Sequence, residues 1–94
     1  MRAIFSGTVI AESHDTVVVE GNHYFPPSSV NTEYLSAPTG HSTHCPWKGD
    51  ASHHDVVVGD QSASNAAWFY AEPFEKATSI KDHVAFYPVV TIIG

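Results

Sequence analysis

The only cysteine of the chain lies three residues before a lysine, in the segment Cys45-Pro46-Trp47-Lys48-Gly49. Proline at the second position of a β-turn presets φ, so this segment is predicted to form a type I or type II turn. Such a turn brings the Cα atoms of Cys45 and Lys48 within about 7 Å of each other. A thiol near an ammonium and free turn amides has a lowered pKa, which is how a reactive thiolate arises. The alternative is that Cys45 packs as a small hydrophobe and that Lys48 is solvated.

Histidines form a second chemical signal around this turn. The chain has seven, and several lie close together with an aspartate: His41, His44, His53, His54 and Asp55. Imidazole and thiolate at close spacing are typical zinc ligands, but no Cys-x-x-Cys pair is present. Adjacent strand residues point to opposite faces, so His53 and His54 are not expected to share a site. We therefore predict no metal and no cofactor, and the alternative role for these histidines is as surface residues.

Aromatic residues on the predicted strands form the third signal. Tyr24, Trp68 and Tyr87 combine an apolar ring with a polar tip, which suits the rim of a ligand pocket. If Phe69 faces the core, its neighbours Trp68 and Tyr70 point outward together. Core packing is the expected role of three phenylalanines: Phe25, Phe69 and Phe86.

Strand signals dominate the elements that must position these residues. The expected strands are 3–5, 8–11, 16–20, 23–25, 42–45, 52–58, 66–70 and 83–93, the last bent at Pro88. Ser6-Gly7 and Gly21-Asn22 are turn signals. Pro27, followed by Val30, Tyr34 and Leu35, predicts a helix of about two turns. A polar loop over 61–65 and a helical turn within 74–80 complete the pattern, which is that of a mainly β domain with one or two short helices.

Length and charge limit the function classes. The 94 residues suffice for a single domain, 1–94, and the formal net charge is −6 with four cationic side chains. Nucleic-acid binding needs Lys and Arg to neutralise phosphates, so no nucleic-acid partner is expected. An acidic chain without a long apolar segment also argues against a membrane partner. The single cysteine and the absence of a signal-peptide pattern give a cytoplasmic expectation.

A family resemblance rests on several motifs of this sequence. They are Ile10-Ala11-Glu12-Ser13, Tyr24-Phe25-Pro26-Pro27, Thr43-His44-Cys45-Pro46-Trp47-Lys48-Gly49-Asp50-Ala51, Ala67-Trp68-Phe69-Tyr70 and Val84-Ala85-Phe86-Tyr87. Over nearly its whole length the chain resembles the small bacterial family called domain of unknown function 427. The resemblance implies compact, twisted antiparallel sheets in a barrel-like or tent-like arrangement, similar to the Mss4-like group.

The resemblance gives more information about the fold than about the chemistry. Zinc-binding relatives of that arrangement use paired cysteines, whereas Lys48 stands where a second cysteine would be. A nucleotidyltransferase label sometimes attached to the family lacks support here, because no carboxylate cluster for a metal-bound triphosphate is visible. The chain also departs from the family pattern, which has aromatic hydroxyls at His53 and His54 and glycine at Asp82.

Three functions remain open at this point. The first is a module that binds a small, anionic ligand near Cys45 and Lys48, with Tyr24, Thr43, Trp68, Tyr87 and His53 as further binding residues. The second is an enzyme with Cys45 as nucleophile, His44 or His53 as base, and Lys48 stabilising an anion. The third is a protein-interaction module, with an exposed apolar patch around Trp47 and a homodimer among the partners considered.

Overall fold

Nine short strands form three separate antiparallel sheets, and no sheet closes into a barrel. The computed structural model of the protein describes residues 1–94. The sheets have the orders β2-β1-β9, β3-β4 and β5-β6-β7-β8. The strands are β1 (Arg2–Phe5), β2 (Thr8–Glu12), β3 (Val17–Val19), β4 (Asn22–Tyr24), β5 (Ser42–Cys45), β6 (Gly49–Val58), β7 (Gln61–Phe69), β8 (Val84–Phe86) and β9 (Thr91–Ile93). The mainly β prediction is confirmed.

Two tight hairpins lie near the predicted turn signals: the first turn is at Ser6-Gly7 as predicted, and the second is at Glu20-Gly21, one residue before the predicted Gly21-Asn22. Ser6 and Gly7 have φ of 51° and 76°, and Glu20 and Gly21 have φ of 53° and 80°. Two consecutive residues with positive φ form the type I′ turn, whose twist matches that of the flanking strands. The second hairpin places Glu20, a residue with a β-carbon, at a left-handed position.

The four-stranded sheet organises the rest of the molecule because both of its faces are covered. Residues paired across an antiparallel ladder share a face, so the pairs Thr43↔Ala51, Cys45↔Gly49 and His53↔Trp68↔Ala85 define one side of this sheet. We call this side the Lys48 face, after the lysine in the β5–β6 loop. The pairs His54↔Ala67↔Phe86 and Phe69↔Val84 define the opposite side.

Each face packs against its own hydrophobic cluster. The larger cluster, on the side of Phe86, buries Ala3, Phe5, Ile10, Ala11, Phe25, Val30, Val56, Ala66, Ala67, Val84, Phe86 and Val90. The smaller cluster, on the Lys48 face, buries Tyr24, Ala51, Trp68, Tyr70, Ala77, Ile80 and Ala85. Phe25 and Phe86 therefore have the core role predicted for them. The prediction that Trp68 and Tyr70 point outward to solvent is wrong, because the smaller cluster covers them.

The β3–β4 hairpin is attached to the edge of the large sheet. Phe25, just after β4, exchanges two backbone hydrogen bonds with Val84 of β8, of 2.8 and 2.9 Å. This attachment brings the hairpin, with Glu20 at its turn and Tyr24 near its end, to the side of the Lys48 face.

The helix predicted after Pro27 is replaced by two isolated 3₁₀ turns, Pro27–Ser29 and Thr32–Tyr34. The interruption has a tertiary cause. Val30 is extended and forms a β-bridge with Ala11, and Leu35 forms another with Val56. Docking these two apolar residues onto the sheets outweighs a marginal two-turn helix.

Two other predicted boundaries also differ. The polar stretch 61–65 is not a loop but the first half of β7, paired with the end of β6. The predicted strand 83–93 is two strands in different sheets, β8 and β9, separated by the turn that contains Pro88. The helical turn within 74–80 is present as the 3₁₀ segment Glu75–Ile80. None of the helical segments has the length and apolar character needed to cross a membrane.

Candidate functional site

The predicted turn after Cys45 is a three-residue hairpin loop, 46–48, that joins β5 to β6. Gly49 closes it with φ of 113°, and a β-carbon there would lie 3.4 Å from the Glu72 carbonyl oxygen. The Lys48 carbonyl accepts a 2.9 Å hydrogen bond from the Phe74 amide. The loop is therefore held on one side by the segment that follows β7, and this contact fixes the backbone from which Lys48 extends.

Lys48 is buried, with 7% of its surface exposed. Its ammonium donates a hydrogen bond to the Glu20 carboxylate from the β3–β4 turn, 28 residues earlier in the chain. The Nζ atom also lies 5.5 Å from the centre of the Trp47 ring and 5.7 Å from that of Tyr70, within cation–π range. One carboxylate and two aromatic rings thus surround the cation.

The ion pair shifts both pKa values toward the charged forms. Burial acts to lower the pKa of Lys48, but the Glu20 hydrogen bond and the negative potential of Tyr24, Tyr70 and Glu20 outweigh it and raise that pKa. The Lys48 hydrogen bond lowers the pKa of the Glu20 carboxyl. Lys48 is therefore a permanent cation at neutral pH, suited to bind an anion but not to act as an amine nucleophile or base.

An unbroken row of ring contacts runs along the Lys48 face. Trp68 meets Tyr24 edge-on at 6.1 Å between centroids, and its Nε1–H donates a 3.2 Å hydrogen bond to the Tyr24 hydroxyl. On its other side Trp68 packs on Tyr87 at 4.6 Å. Tyr87 in turn stacks on His53 at 6.1 Å. Four of the predicted binding residues are thus brought together, and Tyr87 is the most exposed of them.

His53 is fully buried in this row and holds its neighbours in place. Its Nδ1 donates to the His41 carbonyl at 3.2 Å, so Nε2 accepts from the Tyr87 hydroxyl at 3.4 Å. Burial lowers the pKa of His53, as do the charges of His41 and His54, against the opposing effect of the His41 hydrogen bond. His53 is therefore neutral near pH 7. His54 lies on the opposite face, as predicted, with its ring stacked on Phe69.

Cys45 and Thr43 lie on the Lys48 face at its β5 margin. Cys45 is half-buried and Thr43 is exposed. Burial raises the pKa of the Tyr70 hydroxyl, and the positive charge of Lys48 acts in the opposite direction. Cys45 and Lys48 are thus on the same side as Trp68 and Tyr87, as the site hypothesis requires.

The two histidines proposed as a base for Cys45 are engaged elsewhere. His44 alternates with Cys45 along β5, and its Nδ1 donates a 2.7 Å hydrogen bond to Asp50. His53 bonds to His41 and Tyr87 as described. The structure also contains no group of three His, Cys, Asp or Glu side chains placed to hold one metal ion.

The one cavity of the structure is not at Cys45 and Lys48. It lies on the opposite side of the sheet, where His54, Phe69 and Val84 form part of its wall. None of the predicted site residues lines it. The cavity and the groups with shifted pKa values thus mark two different places. We assign the candidate site to the Lys48 face, because only there does a buried charge lie among polar and aromatic side chains from separate segments.

Two residues of the site were absent from the predicted set. Glu20 pairs with Lys48 but belongs to a hairpin whose docking depends on distant contacts, and its only sequence signal is the Glu-Gly turn. Tyr70 lies two residues after Trp68 in the sequence, so strand alternation could have added it to the predicted binding residues.

Comparison with known proteins identifies a family but no activity. A family model described as "Domain of unknown function (DUF427)" matches residues 1–93. No curated protein matches the chain.

Proposed function

The chain belongs to the DUF427 family of domains of unknown function, and we propose that it binds a small anionic ligand on the Lys48 face. The ligand would pair a carboxylate or phosphate group with Lys48 and place an apolar body against Tyr87, the exposed member of the row of ring contacts. The role is that of a binding module.

The Lys48–Glu20 pair is the observation that supports this proposal. Burying an ammonium costs several kcal/mol, and here a single carboxylate, on a side chain that is 52% exposed, offsets that cost. Glu20 lies at the turn of a two-stranded hairpin, where it can swing into solvent without disturbing a sheet core. A ligand carboxylate could therefore replace the Glu20 carboxylate and leave Lys48 paired. In the absence of ligand, Glu20 would occupy the position of the ligand's acidic group.

The neighbours of Lys48 supply the remaining recognition elements. The buried Tyr24 and Tyr70 rings shape the surroundings of the cation, and the buried Trp68 ring connects them to Tyr87. Tyr87, at 41% exposed, is the point at which a ligand ring can stack from solvent. Thr43 and Cys45 would border the ligand on the β5 side, and His53 would fix the orientation of Tyr87.

A thermal-shift screen of carboxylate and phosphate metabolites tests the proposal. A ligand at a hundred times its Kd stabilises the folded state by about 2.7 kcal/mol, which raises Tm by roughly 10–20 °C for a domain of this length. We expect hits among monoanionic and dianionic aromatic compounds and none among their neutral amides.

Three variants decide whether a hit uses Lys48. Lys48→Met should abolish the shift, and Glu20→Gln should increase affinity because it removes the competing carboxylate. Lys76→Met, which removes an exposed lysine elsewhere, is the matched control and should behave as wild type. A Lys48→Met protein that responds to the ligand as strongly as wild type would contradict the proposal.

A second candidate function, protein–protein interaction, is supported by two exposed aromatic residues in and near the β5–β6 loop. Trp47 is 38% exposed and Phe74 is 48% exposed, and the Lys48–Phe74 backbone bond holds their two segments together. Exposed aromatic pairs of this kind occur in protein interfaces. A homodimer formed through them should appear as a concentration-dependent mass in light scattering and be lost in a Trp47→Ser, Phe74→Ser variant. A monomer at all concentrations would refute this candidate.

A further inference from the structure

A cavity of about 220 Å³ lies on the side of the large sheet opposite the Lys48 face. Its wall combines residues of the sheet with residues of the 3₁₀ segment that replaces the predicted helix. Phe69 and Val84, directly paired across β7 and β8, come from the sheet, and Val30 and Leu35 come from the segment. None of the groups assigned to the anionic ligand contributes to it.

The apolar part of this wall sets the size of an occupant. A cavity of about 150 Å³ lined by aliphatic and aromatic side chains accommodates benzene. The larger volume here therefore suits one aromatic ring with a short substituent. Phe69 and the His54 ring, stacked at 4.9 Å and 24°, give such a ring an aromatic surface to pack against.

His54, which lines the cavity, has one ring nitrogen free to accept a hydrogen bond. Its Nδ1 lies 2.7 Å from the Ser36 carbonyl oxygen, and because a carbonyl only accepts, Nδ1 carries the proton. In the neutral ring Nε2 is then an acceptor, and it makes no hydrogen bond within the chain. A ligand that donates an N–H or O–H group to this atom matches it.

Asp82, an exposed acidic residue, is also among the residues that line the cavity. The residue has φ of 60°, and its amide donates a 2.9 Å hydrogen bond to the Tyr70 carbonyl, so its backbone position is fixed. Its side chain is in none of the three ion pairs of the chain, Arg2–Glu12, His44–Asp50 and Lys48–Glu20. An unpaired carboxylate at an apolar cavity favours a cationic substituent.

We propose that this cavity binds a single-ring aromatic amine or amidine, with the ring against Phe69 and Val84 and the cationic N–H groups shared between His54 and Asp82. The site is independent of the Lys48 face and prefers the opposite ligand charge.

Titration of ¹⁵N-labelled protein with benzylammonium, benzoate and toluene tests this proposal by NMR. Benzylammonium should shift the amide signals of Phe69, Val84 and Asp82 in a saturable way and bind more tightly than toluene, whereas benzoate should leave them unchanged. Asp82→Asn should weaken benzylammonium binding roughly two- to fivefold, as expected for a partly exposed ion pair. Asparagine tolerates positive φ, so this variant should keep the fold.

Two controls make the test decisive. Asp60→Asn, which removes the same charge from the β6–β7 turn, should leave benzylammonium affinity unchanged, and so should Lys48→Met. The proposal is overturned if benzoate binds as well as benzylammonium, if Asp82→Asn has no effect, or if no probe shifts these signals.

Discussion

Replacing Lys48 by methionine separates a structural role of the buried cation from a binding role. The variant keeps an unbranched side chain of similar length and removes the ammonium. When one partner of a buried ion pair is removed, the usual cost is about 3–5 kcal/mol, because the other charge remains buried. Here the remaining carboxylate belongs to a half-exposed side chain, so water can solvate it.

The expected change in unfolding free energy is therefore small. Removing the ammonium also removes its desolvation cost, which is why apolar replacement of buried ion pairs is often neutral or stabilising. We expect Lys48→Met to unfold within about 1 kcal/mol of wild type. Lys48→Ala also loses the packed stem, so it should be about 2 kcal/mol or more less stable than Lys48→Met.

Urea unfolding followed by circular dichroism at pH 7 measures these differences, provided that the three proteins share one m-value. A Lys48→Met protein that loses about 3 kcal/mol or more, or that matches Lys48→Ala, would refute the reasoning. The ammonium would then be needed to hold the β3–β4 hairpin on the sheet, and the case for a ligand-binding role would lose its main support.

Three further predictions concern the residues around Lys48. Because the pKa of His53 is lowered in the folded state, the unfolded chain binds the proton more readily, and the free energy of unfolding should fall as pH drops below 6.5 toward the folded pKa. His53→Phe should make the free energy of unfolding, measured with urea, less dependent on pH in this range. An unchanged pH dependence in this variant would exclude His53 as its source. Tyr24→Phe leaves the buried Trp68 Nε1–H without its acceptor and should cost about 1–3 kcal/mol in urea unfolding, whereas the control Tyr34→Phe should be nearly neutral. Gly49→Ala should lower the free energy of unfolding by about 1–3 kcal/mol. It should lower Tm more than the control Gly59→Ala, because Gly59 has φ of 56° and open space around it. Equal decreases in Tm would show that the contact between residue 49 and Glu72 is unimportant.

Local signals predicted the parts of the fold that depend on neighbouring residues. The Ser6-Gly7 turn, the β-branched strand before Glu20 and the bend after Cys45 all appear where their residues indicate. The helix after Pro27 was predicted wrongly because Val30 and Leu35 form bridges to Ala11 and Val56, residues that local pattern cannot select. For the same reason Lys48 was predicted as a site residue and its partner Glu20 was not. The two residues are 28 positions apart, and their pairing depends on how the hairpins dock.

The strand order of the three-stranded sheet, β2-β1-β9, has a consequence for folding during synthesis. The central strand, β1, is synthesised before both of its neighbours, and the second of these, β9, comes from residues 91–93. Until those residues emerge, the N-terminal hairpin exposes a row of unpaired backbone groups on which a foreign strand could add. Nascent chains stalled before Thr91 should therefore be prone to aggregate or to recruit chaperones, while released chains can complete the sheet.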